Sequence, residues 1–474
     1  NPTAAFVLGA SNRNLGRHAE AARALLSAYE LLPDRADIAV LLLEETVTAQ
    51  GLEPARPLFQ RISARVADRR IAASWARLLF RAGAEAELPP GFVTAPLMSV
   101  PDWAAMAGVT MDWVGEPEVI AWVNPVIAGE PDAPRNRSTY LGYRPYVCTI
   151  RDATIFSRSS LVLTPDGAAL HDSMADKDYG DALGDFMSEL GIAERIGDRL
   201  LLDVGRYQAG DEIDAAMLLS GSVSEHFGHW ISEYLPRLNL LRHHPRFETL
   251  PIIVDSVMPP QHFEFLRLLA SNPIIQLPPG GALRCRELVV AAPTYFFPVH
   301  MNQGHTVPPE RQGPVSVEAF HFMSRRVQAR LPPPDRTDRK IYLSRRKRGG
   351  RRPRNEDEIC AYLAARGFEI LDPEDHTFAD QVRIFQEAQV VVASNGSSLM
   401  NAIFSAPGTE FFVLSQRGIF NWGLFCGWMD ALGYRVTFIC CGDETPRKHA
   451  MYTVSIPELE AGLGASARTP LQPT

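Results

Sequence analysis

The feature that most constrains the fold is a regular alternation of apolar and amphipathic segments between residues 338 and 445. Short apolar runs such as "KIYLSR", "VVVAS" and "TEFFVL" alternate with longer segments such as "NEDEICAYLAARG" and "TFADQVRIFQEAQ". Near-continuous apolar strands separated by helices are typical of a parallel sheet covered on both faces. The pattern therefore predicts an open, doubly wound, Rossmann-like α/β lobe.

Residues that start and end helices fall where this prediction needs them. Asn355 with Glu358, and Thr377 with Asp380, are spaced as an N-cap and its third-position acid. Gly367 can take the left-handed conformation that ends a helix. These positions predict helices beginning at residues 356 and 378.

Another α/β lobe, with a β-rich entry, is predicted for residues 95–328; it is called the first lobe, and residues 338–445 are called the second lobe. It contains the strand-like runs "YVCTI", "SLVLTP", "PIIVD" and "ELVVAA". The Pro-rich stretches "ELPPGFVTAP" and "ARLPPPDRTDRK" mark its two ends. Residues 446–474 are predicted to form a C-terminal helix and tail.

The first 88 residues follow a helix-turn-helix pattern with tetratricopeptide-like spacing. Small residues let two antiparallel helices approach, and a proline ends the second helix. Such repeats need a neighbour to cover their apolar face, so we expect this all-α segment to cap the next domain or to bind a protein partner or a second copy. Plain helical packing without a ligand is the alternative. The residues that match the pattern are Leu8, Gly9, Gly16, Ala21, Leu25, Ala28 and Pro33.

The composition of this 474-residue chain is that of a globular protein with an acidic balance. Its formal net charge of -8 argues against a surface that coats nucleic acid. The six cysteines show no CxxC spacing, which favours a reducing compartment. No apolar run is long enough for a transmembrane helix, although the first residue is Asn1 and an earlier segment can have been removed. We expect a cytoplasmic location, with the inner face of a membrane as the alternative.

One exception to the acidic balance is a local basic run that follows the first strand of the second lobe. Residues 345 to 354 hold seven Lys or Arg in ten positions. Ligands of such sheets bind at the carboxyl ends of the strands, so Ser344 and Arg345 are predicted to reach the binding rim. We interpret most of the stretch from Arg346 to Arg351 as a solvated turn, and Arg345 as the binding residue.

A second polar turn follows the strand "VVVAS". Small side chains let a diphosphate approach the backbone N-H groups, and an arginine fork can hold two phosphate oxygens. Neither GxGxxG nor GxxxxGK[ST] is present, which argues against a dinucleotide oxidoreductase and a P-loop ATPase. Together the two strand ends predict a cradle for a diphosphate. The turn residues are Ser394, Asn395, Gly396, Ser397 and Ser398.

In the first lobe, the stretch "SEHFGHWISEYLPRL" places ionisable groups three or four residues apart. On a helix, His226, His229, Glu233 and Arg237 would share one face, while Trp230 and Leu235 could face the core. A metal site, a catalytic pair and an exposed face remain open from spacing alone. A zinc site needs three firm ligands, so no metal is expected, and a histidine beside a carboxylate suits proton transfer from a hydroxyl.

Three motifs, in this order, resemble glycosyltransferase family 61: "FGHWISEYLPRL", "IYLSRRKRGGRRPRNEDEI" and "TFADQVRIFQEAQVVVASNGSSLMNAIFSAPGTEFFVL". The similarity spans about residues 145 to 440 and excludes the helical start. It implies an inverting enzyme with two GT-B-like lobes, the acceptor lobe first and the donor lobe second. A nucleotide sugar in the cleft and no required metal are also implied.

The resemblance assigns roles to individual residues. His229 matches the histidine of the family's HW motif, and Glu233 matches the acid before "LPR". Arg345 matches the arginine that faces the diphosphate, and Arg354 and Asn355 lie near the R-x-N-E element. Residues 396 to 399 match the phosphate-binding turn.

The sequence departs from the family at several of these positions. Asn395 stands where a histidine is usual, Ser397 and Ser398 replace Ala and Gly, and His226 replaces a common Asn. Val413 occupies a position often held by a glutamate that could contact the ribose. The departures leave the nucleoside contacts open.

The sequence therefore predicts transfer of a sugar from a nucleotide diphosphate sugar, such as UDP-xylose or UDP-GlcNAc, to a hydroxyl of a glycan or glycolipid. Synthesis of a cell-surface polysaccharide such as a capsule is the expected role. His229, His226 or Glu233 would be the base. The predicted donor contacts are Arg345, Arg354, Asn355, Asn395, Gly396, Ser397 and Ser398.

Two other classes of function are weighed against this prediction. The first is a catalytically degenerate scaffold with tetratricopeptide-like repeats, which the departures favour. The second is an RNA-binding protein that uses residues 345 to 354, but the aromatic residues expected for single strands are missing from the run. We therefore expect no nucleic acid partner.

Overall fold

The structure, a computed structural model, describes residues 1–130, 137–177, 189, 191–294, 315–347, 349–416, 422–440 and 450–466. Arg348, Cys441 and the predicted tail after residue 466 lie outside these ranges. The α-helices are α1 Pro2–Asn14, α2 His18–Leu31, α3 Ala36–Gln50, α4 Leu52–Arg65, α5 Arg69–Arg81, α6 Val100–Ala107, α7 Asp172–Ala175, α8 Phe227–His229, α9 Leu238–Leu241, α10 Pro260–Leu269, α11 Val317–Gln328, α12 Glu356–Ala364, α13 Phe378–Glu387, α14 Trp422–Ala431 and α15 Ile456–Ser466.

The strands form two large sheets and one two-stranded ribbon. They are β1 Phe92–Met98, β2 Asp112–Trp113, β3 Val119–Val123, β4 Val126–Ile127, β5 Arg137–Leu141, β6 Tyr146–Phe156, β7 Val162–Leu163, β8 Ala169–Leu170, β9 Ile192–Ile196, β10 Arg199–Asp203, β11 Gln208–Leu218, β12 Ile252–Asp255, β13 Ile274–Leu277, β14 Gly281–Ala291, β15 Arg339–Leu343, β16 Glu369–Leu371, β17 Ala388–Ser394, β18 Glu410–Ser415 and β19 Arg435–Cys440.

The chain starts as an all-helical segment, as predicted, with its own apolar core. Gly9 lets α1 and α2 approach closely, because a β-carbon there would meet the side chain of Leu25. Helix α5 packs on β9 and β10, where Phe80, Phe92 and Leu201 form a buried cluster. The segment therefore covers one end of the first sheet, and its membership of the tetratricopeptide class stays a prediction.

The first sheet is mixed rather than purely parallel. Its strands follow the order β13-β12-β11-β14-β6-β7-β8-β1-β10-β9, with β2 beside β6. The run β13-β12-β11-β14 is parallel, and β6 joins β14 antiparallel. The β-rich entry predicted from the sequence thus extends a parallel α/β unit on one side.

The second sheet is parallel and covered on both faces, as the alternation predicts. Its order is β16-β15-β17-β18-β19-β4. Helices α12 and α15 cover one face around Tyr342 and Val392, and α13 and α14 cover the other around Val391 and Phe411. After β17, residues Ser397–Phe404 form a 3-10 helix.

The two sheets share one apolar core. Buried residues of both belong to a single cluster, and the ring of Phe265 on α10 stacks on Phe378 of α13 at a centroid distance of 4.2 Å. In the sequence, strand β4 lies among the strands of the first sheet, yet it pairs with β19 at the edge of the second sheet. The lobes therefore pack as one body around a cleft.

Both predicted helix starts are confirmed, but only one of the two predicted N-caps forms. The Thr377 hydroxyl accepts a hydrogen bond from the Asp380 N-H at 3.1 Å, as a capping box requires. The Asn355 side chain does not cap α12. Its amide donates to the Val454 carbonyl at 2.8 Å and to Glu358 at 2.9 Å. Asn355 therefore holds the chain segment before α15, which is distant in sequence.

Among the described residues, no helix is both long and apolar enough to cross a membrane.

Candidate active site

The candidate site is centred where the strand order of the second sheet reverses. Strands β15 and β17 are parallel neighbours, and the chain leaves β15 for β16 on the opposite side. Their carboxyl ends thus open a crevice, the usual ligand position in such sheets. Arg345 follows β15, and the turn of residues 395–398 follows β17.

Arg345 lies directly against Gly396. A β-carbon added to Gly396 would overlap the Arg345 guanidinium. The φ of Gly396 is -179°, an extended backbone that any residue adopts, so the glycine is needed for space and not for conformation. The two strand ends that the sequence predicts to converge are therefore in contact.

A buried carboxylate holds the backbone of Arg345. Glu356 is fully buried at the start of α12 and accepts hydrogen bonds from the Arg345 N-H at 2.6 Å and the Tyr342 hydroxyl at 3.1 Å. The Arg345 guanidinium donates to the Gly350 carbonyl at 3.2 Å. Glu356 was not predicted as a site residue, although an acid at the first turn of a helix near a basic loop is a signal for such a contact.

A cavity of about 370 Å³ lies between the two lobes at this point. Across it, Gly228 of the first lobe lies so close to Ser397 that a β-carbon at residue 228 would be 3.1 Å from the Ser397 hydroxyl oxygen. The polar side chains that line the cavity come from both lobes: Glu225, His226, Gln261 and His262 from the first, and Ser344, Arg345, Arg351, Glu374, Gln381, Ser397 and Ser398 from the second.

Beyond Arg345, the described part of the basic loop contains one further cleft residue and several residues that form ion pairs. Arg346 and Lys347 are exposed and form ion pairs with Asp372 and Asp375, as a solvated turn would. Arg351 instead lines the cleft, with a left-handed φ of 53° that is uncommon for a non-glycine residue. Burial and then the neighbouring Arg345 lower the pKa of its guanidinium. The solvated interpretation is therefore wrong for Arg351.

In the first lobe, the segment after β11 is helical but irregular. Residues 227–229 form an α-helical turn, Trp230–Tyr234 form a π turn, and Leu235–Arg237 form a 3-10 turn. Pro236 has no N-H to continue the α pattern. Trp230 and Leu235 are fully buried, as predicted.

His229, Glu233 and Arg237 form one row of contacts on this segment, as predicted, and His226 lies beside its start. His226 lines the cleft, and its ring centroid is 6.3 Å from that of His229. The His229 Nδ1 lies 3.1 Å from a carboxylate oxygen of Glu233. The other Glu233 oxygen is 3.7 Å from the Arg237 guanidinium. Burial, followed by the charge of His229, lowers the pKa of His226.

His262 is a cleft residue that sequence reasoning missed. Its ring stacks on Trp230 at a centroid distance of 5.6 Å, and Nδ1 is 3.1 Å from the Ser224 carbonyl. Burial lowers its pKa to about 4. The imidazole is therefore neutral near pH 7, with Nδ1-H donating to Ser224.

Asp255 shapes the loop that leads to His226. This fully buried carboxylate accepts hydrogen bonds from the Ser220 hydroxyl at 2.8 Å, the Gly221 N-H at 3.0 Å and the Ser224 hydroxyl at 2.7 Å. It sits at the end of β12, beside β11. The loop of residues 219–226 is thus held by one acid from the neighbouring strand.

Several residues predicted to contact the donor do not line the cavity. Arg354 is exposed, and its N-H donates to the Tyr452 carbonyl at 2.6 Å. Asn355 contacts Val454, as described above. Asn395 is half-buried, and its N-H donates to the Leu414 carbonyl at 2.9 Å. Val413 is fully buried inside β18, so a side chain there faces the core and not a ribose.

Within the described residues, no group of three or more His, Cys, Asp or Glu is arranged to hold a metal ion. The expectation of a metal-independent reaction stays a prediction.

The comparison with protein families agrees with these features. Residues 227–412 match the family model described as glycosyltransferase 61. The match begins at the irregular helical segment and includes both strand ends of the crevice. A comparison with curated proteins found no match. Residues 227–412 are therefore similar to glycosyltransferase family 61, the family that the motifs of the chain predict.

Proposed function

We propose that the protein is an inverting glycosyltransferase that moves a sugar from a nucleoside diphosphate sugar to a hydroxyl of a glycan or glycolipid. The observation that carries this proposal is the contact of Arg345 with Gly396 at the reversal point, facing the first lobe across the cleft. A UDP-sugar such as UDP-xylose or UDP-GlcNAc is the proposed donor. Cell-surface polysaccharide synthesis, in the cytoplasm or at the inner face of the membrane, is the proposed role.

The second lobe supplies the groups that a diphosphate needs. Arg345 and Arg351 bring two guanidinium groups to the same cleft, and each can donate two parallel hydrogen bonds to phosphate oxygens. The hydroxyls of Ser397 and Ser398 line it as well. They lie at the start of a 3-10 helix, where backbone N-H groups have no partner within the helix.

The first lobe supplies candidate bases. His229 is our proposed base, because its Nδ1-H can donate to Glu233 and leave Nε2 unprotonated. Arg237 lies 3.7 Å from the other Glu233 oxygen, so Glu233 is positioned from both sides and orients the His229 ring. His226, on the cleft itself, is the alternative base.

The proposed step is a single displacement. The acceptor oxygen forms a bond to the anomeric carbon while the bond from that carbon to the diphosphate oxygen breaks. The electron pair leaves with the diphosphate, and the acceptor proton moves to His229. Arg345 and Arg351 stabilise the charge that grows on the leaving diphosphate, a task that a divalent metal performs elsewhere.

Replacing Arg345 tests the proposal. In Arg345→Ala, we expect kcat/KM for transfer to fall by about 100-fold or more, since a charge-stabilising donor is lost. The melting temperature should stay nearly unchanged, because the backbone N-H that binds Glu356 remains. Arg346→Ala, which removes an exposed cation of the same loop, is the matched control. Full transfer activity in Arg345→Ala would refute the assigned role.

A non-catalytic scaffold is the competing proposal, favoured by the departures at Asn395 and Val413. Calorimetric titration with UDP, GDP and CDP separates the two. Heat of binding for one of them that disappears in Arg345→Ala supports the transferase. No heat with any of the three favours the scaffold.

A further inference from the structure

A second hollow lies in the first lobe, beside the helical segment that carries His229. It has a volume of about 50 Å³. Glu233 and Arg237 line it, together with Tyr146 at the start of β6 and with Asp172 at the start of α7. Leu218 at the end of β11 also lines it, so the hollow opens at the carboxyl end of the parallel strands.

Arg237 is the unusual member of this set. Its side chain is only 14% exposed, and its nearest carboxylate oxygen, on Glu233, is 3.7 Å away. It stacks over the Tyr234 ring at 5.3 Å. Its Nε is buried and has no hydrogen-bond partner in the part of the chain that the structure describes. A buried donor without an acceptor is unfavourable, so this guanidinium is suited to a ligand oxygen.

The acids in the hollow determine which ligand fits. Asp172 is half-buried and accepts hydrogen bonds from the Val100 N-H at 2.8 Å and from the Tyr146 hydroxyl. Burial raises the pKa of Asp172. Glu233 already balances the charge of Arg237. An anionic ligand would be repelled by Asp172 and Glu233. A neutral group that both accepts and donates hydrogen bonds can instead accept from the Arg237 guanidinium and donate to the Glu233 carboxylate.

We propose that this hollow binds hydroxyl groups of a neutral acceptor sugar, with Arg237 donating to one hydroxyl oxygen and Glu233 accepting from a hydroxyl. The volume admits the hydroxyl-bearing edge of a sugar, not a whole ring. The inference rests on the proposed function, because Glu233 also contacts the proposed base His229. An acceptor held here would place its reacting hydroxyl beside that base.

Saturation-transfer NMR with free monosaccharides tests the proposal. The probes are glucose, galactose and xylose, with glucuronate as the anionic counterpart. For wild-type protein we expect binding of at least one neutral sugar and weaker binding of glucuronate. In Arg237→Met, the dissociation constant of that sugar should rise about tenfold or more. Arg237→Lys, which keeps the charge beside Glu233 but loses the planar fork, should weaken binding as well.

Two controls separate this inference from the proposed function. Arg246→Met removes a half-exposed arginine that does not line the hollow, and should bind the sugar like wild type. Arg345→Ala should lose nucleoside diphosphate binding yet keep the sugar signal, while Arg237→Met should do the reverse. Absence of any sugar signal in wild type, unchanged sugar binding in both Arg237 variants, or preference for glucuronate would each overturn the inference. Loss of nucleotide binding alone would count only against the proposed donor site.

Discussion

Among single residues, Gly396 is the position at which one added methyl group should most strongly affect nucleoside diphosphate binding. Its backbone is extended, so alanine fits the conformation, but the added methyl group would overlap the Arg345 guanidinium. We expect Gly396→Ala to weaken nucleoside diphosphate binding by about tenfold or more with little loss of stability. Calorimetric titration measures the first effect and thermal unfolding the second.

Gly464→Ala is the control for this substitution. Gly464 lies in α15, where a β-carbon would meet nothing within 4 Å. Nucleotide affinity should be unchanged there. Equal nucleotide affinities for the Gly396 and Gly464 variants would contradict the prediction, because they would show that Arg345 can move away from residue 396 and still bind the nucleotide.

The buried histidine of the cleft makes stability depend on pH. His262 has a pKa of about 4 in the folded protein and an ordinary value near 6.5 when unfolded. Between these values the unfolded chain binds a proton that the folded protein excludes. The free energy of unfolding should therefore fall as pH drops from 6.5 to 4, by up to about 3 kcal/mol from this group.

Urea unfolding at several pH values measures this effect. In His262→Phe, which keeps an aromatic ring against Trp230, the slope over the same pH range should be shallower. A remaining slope is expected from His226, whose pKa is also lowered. Identical slopes for wild type and His262→Phe would contradict the prediction.

At the scale of elements, the start of α12 organises the basic loop. Glu356 accepts from the Arg345 N-H and forms an ion pair with Arg352 at 3.2 Å. Glu356→Gln keeps the shape but removes the charge, so we expect a loss of about 1 to 3 kcal/mol of stability and weaker nucleotide binding. Chemical denaturation and titration test both effects. Asp357→Asn, at the exposed neighbouring position, should change neither.

The elements themselves were largely predictable. Strands β15 to β19 and helices α12 to α14 follow the apolar periodicity, because each must bury one face or both against a neighbour. The 3-10 helix at Ser397–Phe404 and the π turn at Trp230–Tyr234 were not predicted. Periodicity over so few residues does not distinguish helix types that differ by one residue in hydrogen-bond spacing.

At the scale of the whole molecule, the lobes are joined by a common core. Phe265, Phe378 and Phe404 are buried and in contact across the two lobes. Removal of the Phe265 ring should cost about 3 to 5 kcal/mol. In Phe265→Ala we therefore expect both sheets to lose stability together, with coincident fluorescence and circular dichroism transitions in urea.

Val257→Ala, which truncates an exposed side chain in the same lobe, serves as the comparison and should stay within about 0.5 kcal/mol of wild type. Separate transitions for the two sheets in Phe265→Ala would show that the shared core does not couple them.

The helical start, the parallel second sheet and the approach of Arg345 to Gly396 were predictable from the amino-acid sequence, because local periodicity and strand-end position carry that information. Three features became visible only in the folded chain: Arg351 and His262 line the cleft, Arg354 and Asn355 contact residues 452–454, and Arg237 lines a separate hollow. Each of these outcomes depends on which distant segment occupies the neighbouring space, and spacing along one chain does not encode that choice.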